Sequence, residues 1–163
     1  MVKINWVNVG DKFDETICNR IIALLQQGKV VDIDSDLSNS ILQKEIKETY
    51  YEAGTLIERL EFRDAVKKIM NLVEEANKYY DTMEPWKAKN DDIMTFNNVI
   101  YTCAVIIANL SNLFEPIMPS ACKKIRTYLN LPEKPIWNFI DVKPGLKLEN
   151  IEPLFTRIDK KNK

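Results

Sequence analysis

Trp86 is the residue whose type best suits binding something flat. Pro85-Trp86-Lys87-Ala88-Lys89 sets an indole after a residue that fixes its own backbone and beside two ammonium groups. An indole is a rigid platform for a planar ring, and stacking a nucleobase on one is worth ~1–3 kcal/mol. The flanking lysines suit phosphate oxygens. A competing reading makes Trp86 a cap on the fold, as Trp6 and Trp137 would be, and makes Lys87 and Lys89 ordinary solvated side chains. Position and composition alone favour that second reading, because aromatics at helix ends usually pack. Arg20 is the next candidate. It shares a helical column with Phe13, Ile17 and Leu24, so its guanidinium borders an apolar stripe. Such an arginine can simply snorkel, yet its planar fork of donors suits bidentate contacts.

Other chemistry is poorly provided for. The chain has no His, which removes the commonest general base and metal ligand and every Ser-His or Cys-His arrangement. Its four glycines, Gly10, Gly28, Gly54 and Gly145, form no phosphate-cradling loop. The carboxylate pairs Glu74-Glu75 and Asp91-Asp92 are adjacent, so on a helix they diverge rather than converge on a substrate. Cys18, Cys103 and Cys122 match no zinc or redox spacing and read as buried, reduced thiols. No catalytic residue, metal site or cofactor is expected, and composition argues against an autonomous enzyme. The net charge of −1 means that any nucleic-acid binding must come from a local patch rather than a global field.

The elements that would position these residues are helical nearly throughout. At 163 residues, 45 % hydrophobic and 29 % charged, the chain suits one soluble domain over residues 1–163. Phe13, Ile17, Ile21, Leu24 and Leu25 mark a first helix stopped by Gly28, and residues 29–37 form a connector with Asp36 or Ser38 placed to cap the next helix. This second helix, over about 38–57, presents Ile41, Leu42, Ile46, Tyr50 and Ala53; Gly54 lies within it or marks a close helix–helix contact. The third carries the stripe Phe62, Ala65, Val66, Ile69, Met70, Val73, Ala76, Asn77 and Tyr80 and is ended by Pro85. A fourth, about 92–114, is apolar on several sides from Ile93 to Phe114 and should be the most buried. Its run Val99–Leu113 is interrupted by Tyr101, Thr102, Asn109, Ser111 and Asn112, which favours a core helix over a membrane span. Pro116 and Pro119 break it, and Ser120 is placed to cap a short fifth helix through Asn130. The prolines from Pro132 onward make residues 131–163 largely non-helical, an extended segment wrapping back with Trp137 and Phe139 plugged into the surface and a frayed Lys-rich end. The expected fold class is all-α, a bundle of about five helices with an extended C-terminal segment. The N-terminus lacks a signal-like apolar stretch, so the cytoplasm is the expected location.

Four ordered pieces carry a family resemblance. Leu60 to Tyr80, ending Ala76-Asn77-Lys78-Tyr79-Tyr80, is followed by Met83-Glu84-Pro85-Trp86-Lys87-Ala88-Lys89. Downstream come Leu113-Phe114-Glu115-Pro116-Ile117-Met118-Pro119 and Leu154-Phe155-Thr156-Arg157-Ile158-Asp159, with Thr156 where a proline is usual. Across roughly residues 5–160 the chain resembles the anticodon-binding domain of methionyl-tRNA synthetases. The His-bearing ATP motif and the mobile Lys-Met-Ser-Lys-Ser loop of that family's catalytic portion are missing from this sequence, which implies that this chain does not activate methionine by itself.

The resemblance implies a tRNA-binding role in support of aminoacylation, with the anticodon stem-loop of methionine tRNA as partner. A separate catalytic chain or protein partner is a further candidate. In this reading Trp86 stacks an anticodon base and Arg20 hydrogen-bonds the anticodon cytosine. Thr16 and Lys12 stand where asparagines are common one and two turns before that arginine, and Thr16 offers one hydroxyl instead of an amide's paired donor and acceptor. Lys87 and Lys89 face anticodon-loop phosphates, while Asn77 and Pro85 support the loop that carries Trp86. The alternative is a helical protein-interaction or regulatory module derived from that domain that no longer reads tRNA; near-neutral charge and Thr16 point toward it.

Overall fold

The computed structural model describes residues 40–145 and Leu154. The first helix, the connector with Asp36 and Ser38, Cys18, and the candidate site residues Lys12, Thr16 and Arg20 lie outside the described residues. The closing Leu154–Asp159 motif is represented by Leu154 alone, which is buried.

Five helices are described, in chain order α1 (Ser40–Glu58), α2 (Phe62–Met83), α3 (Pro85–Asp91), α4 (Ile93–Leu113) and α5 (Pro119–Tyr128). Among the described residues there is no strand, and the fold is all-α. α1 and α2 form a hairpin through a short corner, and both pack on α4, which also receives α3 and α5. The apolar spacing of each helix explains its seat. Leu42, Ile46, Tyr50 and Ala53 of α1 and Ala65, Ile69, Leu72, Val73, Ala76 and Tyr80 of α2 are buried, as the i, i+3, i+4 pattern requires. Phe62, at the head of the expected stripe, is instead 51 % exposed at the first residue of α2.

α4 is the axis of the core. From Phe96 onward nearly every side chain is buried, Phe114 just beyond its end included. By length and composition α4 could cross a bilayer, but 78 % of its apolar window is buried inside the protein, which identifies it as a core helix. The expectation for Ile93 fails: in the first turn of α4 it is 57 % exposed, as is its neighbour Met94 at 60 %. Cys103 and Cys122 are buried free thiols. Burial pushes both thiols up, Cys122 to about 12, so they act as small apolar groups.

Helix ends depart from simple residue rules. α1 closes in a Schellman arrangement, with Leu60 N–H donating to Ile57 O at 2.9 Å and Glu61 N–H to Leu56 O at 2.9 Å. The left-handed position is filled by Leu60 (φ 63°) rather than glycine. A left-handed L-residue costs ~1–2 kcal/mol and glycine's extra chain entropy ~0.5–1 kcal/mol. Leu60, 74 % exposed, has little packing to lose, so Leu60→Gly is expected to stabilise the fold by about 0.5–1 kcal/mol, read as a higher urea midpoint. α5 ends the same way at Asn130 (φ 50°), with Leu131 N–H donating to Arg126 O at 2.9 Å. At its start Ser120 is not the cap. Met118 occupies that position and Pro119 opens the helix, its missing N–H costing nothing there.

Beyond α5 the chain is non-helical over residues 131–143, with bends at 133–134 and 137–138. Polar groups inside the core hold it. Asn109, fully buried, donates to Ile140 O at 2.8 Å and accepts from Ile140 N–H at 2.9 Å, pairing with this backbone as a neighbouring strand would. Tyr101 donates to Asp141 Oδ1 at 2.7 Å and lies 3.1 Å from Val142 O. Burial raises the Tyr50 and Tyr101 phenols far above their ordinary range, so both remain donors. Trp137 lies across α1, donating from Nε1 to Tyr50 O at 3.1 Å and meeting the Tyr50 ring edge-on. Gly54 lies within α1 beneath that indole rather than beneath another helix. A Cβ at Gly54 would come within 2.8 Å of Trp137 Nε1.

Candidate functional site

The site is built where α2 hands over to α3. α2 ends at Met83, and a single residue, Glu84, turns the chain in the left-handed conformation (φ 42°, ψ 54°). Pro85 then opens α3 as its first residue, buried and preset for helix. The Glu84 carbonyl accepts from Lys87 N–H at 2.8 Å and Ala88 N–H at 3.3 Å, closing the first turn. The loop expected to carry Trp86 is therefore a short helix, because proline at the first helical position loses no hydrogen bond.

The far end of α3 is fixed as firmly. Asp92 N–H donates to Ala88 O at 2.8 Å, while its carboxylate caps α4 by accepting from Thr95 N–H at 3.0 Å and Thr95 Oγ1 at 2.6 Å. The Thr95 hydroxyl and then its backbone N–H hold the Asp92 carboxyl below the usual carboxylate range. Hydrogen-bonded at both ends, α3 seats Trp86 against Tyr80 of α2.

Trp86 is 45 % exposed. One side of its ring leans on Tyr80, with centroids 5.6 Å apart and planes inclined at 47°. Tyr80 is buried on α2, so the indole has a firm backing and presents its remaining surface to solvent. The arrangement packs one side of the indole on the fold and leaves the rest exposed to a planar ring. Lys87, next along α3, forms an ion pair with Glu84 at 2.7 Å. Lys89 is half-buried in the last turn of α3, where a cation suits the helix dipole. Asn77 is half-buried on α2, three residues before Tyr80. Pro85, Trp86, Lys87 and Lys89 are thus brought together on one element.

Sequence reasoning misses two members of the site. Periodicity puts Tyr80 on the apolar stripe but does not mark it as the backing for Trp86, six residues later across a proline. Glu84 looks like a connector, although a carboxylate three residues before a lysine is a usual ion-pair spacing. Among the described residues no group of three or more His, Cys, Asp or Glu could hold a metal ion.

Comparison with known proteins agrees with this fold. Residues 27–163 match the family described as the anticodon binding domain of methionyl tRNA ligase. A methionine–tRNA ligase of Bacillus anthracis is 36 % identical over 120 residues, 74 % of this chain and 22 % of that protein. The methionine–tRNA ligase of Pyrococcus furiosus is 39 % identical over 114 residues, 70 % of this chain and 16 % of that protein. This chain therefore spans about a fifth of the length of the curated relatives it matches. The crystal structure of the free form of Mycobacterium tuberculosis methionyl-tRNA synthetase shares the fold, with a TM-score of 0.77 and 18 % identity, covering 89 % of this chain and 32 % of that one. With the family model spanning most of the sequence, the chain belongs to the family of anticodon-binding domains of methionyl-tRNA ligase.

Proposed function

We propose that this chain binds the anticodon stem-loop of methionine tRNA, in support of aminoacylation by a catalytic portion of the kind its longer relatives contain. The observation that carries the reading is the half-exposed indole of Trp86, backed by Tyr80 and seated on a helix fixed at both ends. A pre-positioned ring loses little entropy when a base stacks on it, and stacking requires no positive field, which suits a net charge of −1. Lys87 and Lys89 would meet loop phosphates, and Arg20, with Thr16 and Lys12, would read bases from the first helix.

Trp86→Ala tests this. Titration of a labelled methionine tRNA stem-loop, followed by anisotropy, is expected to show a loss of ~1–3 kcal/mol, roughly 5- to 150-fold in Kd. Helicity should be unchanged, because Trp86 contributes little to the core. Unchanged affinity with intact helicity would overturn the proposal. The second reading, a protein-interaction module, is favoured by Ile93 and Met94, which are 57 % and 60 % exposed at the start of α4. It predicts no binding of the stem-loop even at low salt, where an RNA-binding patch binds most strongly.

A further inference from the structure

We infer that Glu84 is a specificity-determining residue, a charge gate that occupies Lys87 until a base has stacked on Trp86. The inference rests on the reading of Trp86 given above. Three observations on Glu84 carry it. The backbone at this position is left-handed, a conformation suited to glycine or asparagine, so the backbone alone does not call for glutamate. Its carboxylate makes no capping hydrogen bond to the helix it precedes. It reaches instead to the Lys87 ammonium at 2.7 Å, closing an ion pair around the intervening Pro85 and Trp86.

The side chains of this pair are 44 % (Glu84) and 66 % (Lys87) exposed, so the pair adds little to stability and is readily exchanged. Its consequence falls on ligands. An RNA that approaches with phosphates alone meets a neutralised lysine and a carboxylate, and gains little. An RNA held by a base stacked on Trp86 presents its phosphates to this helix at a high local concentration, so that one can replace Glu84 as the partner of Lys87. Glu84 thus suppresses the sequence-independent part of binding and leaves the stacking part in place.

The test compares wild type, Glu84→Gln, Lys87→Ala and the double variant. Each is titrated with the methionine stem-loop and with one of changed anticodon, across a salt series. Glu84→Gln is expected to tighten binding of the changed loop about two- to fivefold at low salt. Its log–log salt slope should steepen by about 0.7, the counterion release of one further phosphate contact on a single strand. The methionine loop should gain less, so discrimination narrows. Both effects should vanish in the Lys87→Ala background. A silent Glu84→Gln substitution, or a gain that persists without Lys87, overturns the gate. If Trp86→Ala weakens the methionine loop while Glu84→Gln is silent, the gate alone fails. If Trp86→Ala has no effect, the stacking reading fails and the gate with it.

Discussion

Asn109→Ala is expected to destabilise the fold by roughly 2–5 kcal/mol, although the residue removed is polar and uncharged. All the hydrogen-bonding capacity of this buried amide is spent. Nδ2 donates to Val105 O and Ile140 O, each at 2.8 Å, and Oδ1 accepts from Ile140 N–H at 2.9 Å and Tyr50 OH at 3.2 Å. Alanine would leave the Ile140 amide and carbonyl without partners, at ~1–3 kcal/mol for each group left desolvated. The loss should appear first at the non-helical segment after α5. Hydrogen exchange at the Ile140 and Val142 amides should accelerate at denaturant concentrations where amides within α4 remain protected. Uniform acceleration across the protein would show that the segment and the bundle unfold as one unit. An unchanged urea midpoint would refute the role given to Asn109.

Phe114→Ala should cost roughly 3–5 kcal/mol, the usual range for emptying a fully buried aromatic site. Phe114 is 0 % exposed and stands at the end of α4, where its carbonyl accepts from Ile117 N–H at 2.9 Å and Met118 N–H at 2.8 Å. The ring thus anchors the corner through which the chain enters α5. The corner is tied to α5 as well, with Arg126 paired with Glu115 at 2.8 Å. Urea denaturation followed by circular dichroism should show a lower midpoint with an unchanged slope. A loss below about 1 kcal/mol would mean that the corner closes over the cavity.

Where apolar periodicity governs, the fold is readable from residue order alone. α4 at both ends and α1 at its far end lie within a residue or two of their expected bounds, and α2 runs from the head of its stripe to Met83, since these stripes are long and burial follows from them. The departures arise where a local contact outranks residue type. Pro85 reads as a stop, and it is one for α2. After a left-handed Glu84 it is also the first residue of another helix. Ser120 resembles a cap, yet Pro119 starts α5 ahead of it. Arg126 is 4 % exposed, and nothing nearby in sequence announces this, because its partners Glu115 and Ser111 lie across the proline corner. Asn109 reads only as an interruption in an apolar run. Its partner, thirty-one residues away, is backbone, which no side-chain pattern reveals. Trp86, Lys87 and Lys89 are singled out by the family resemblance, since position and composition alone favour packing for the indole and solvation for the lysines. The backing by Tyr80 and the pairing by Glu84 depend on how two helices meet.

In the proposed function, this domain reads a methionine anticodon through a base stacked on Trp86. The most direct measurement is the ratio of affinities for a stem-loop with the CAU anticodon and for one differing only in those bases, at moderate salt, in wild type and in Trp86→Ala. A clear preference for CAU that shrinks when the indole is removed is the predicted result. Equal affinity for the two loops in the wild-type protein would contradict it.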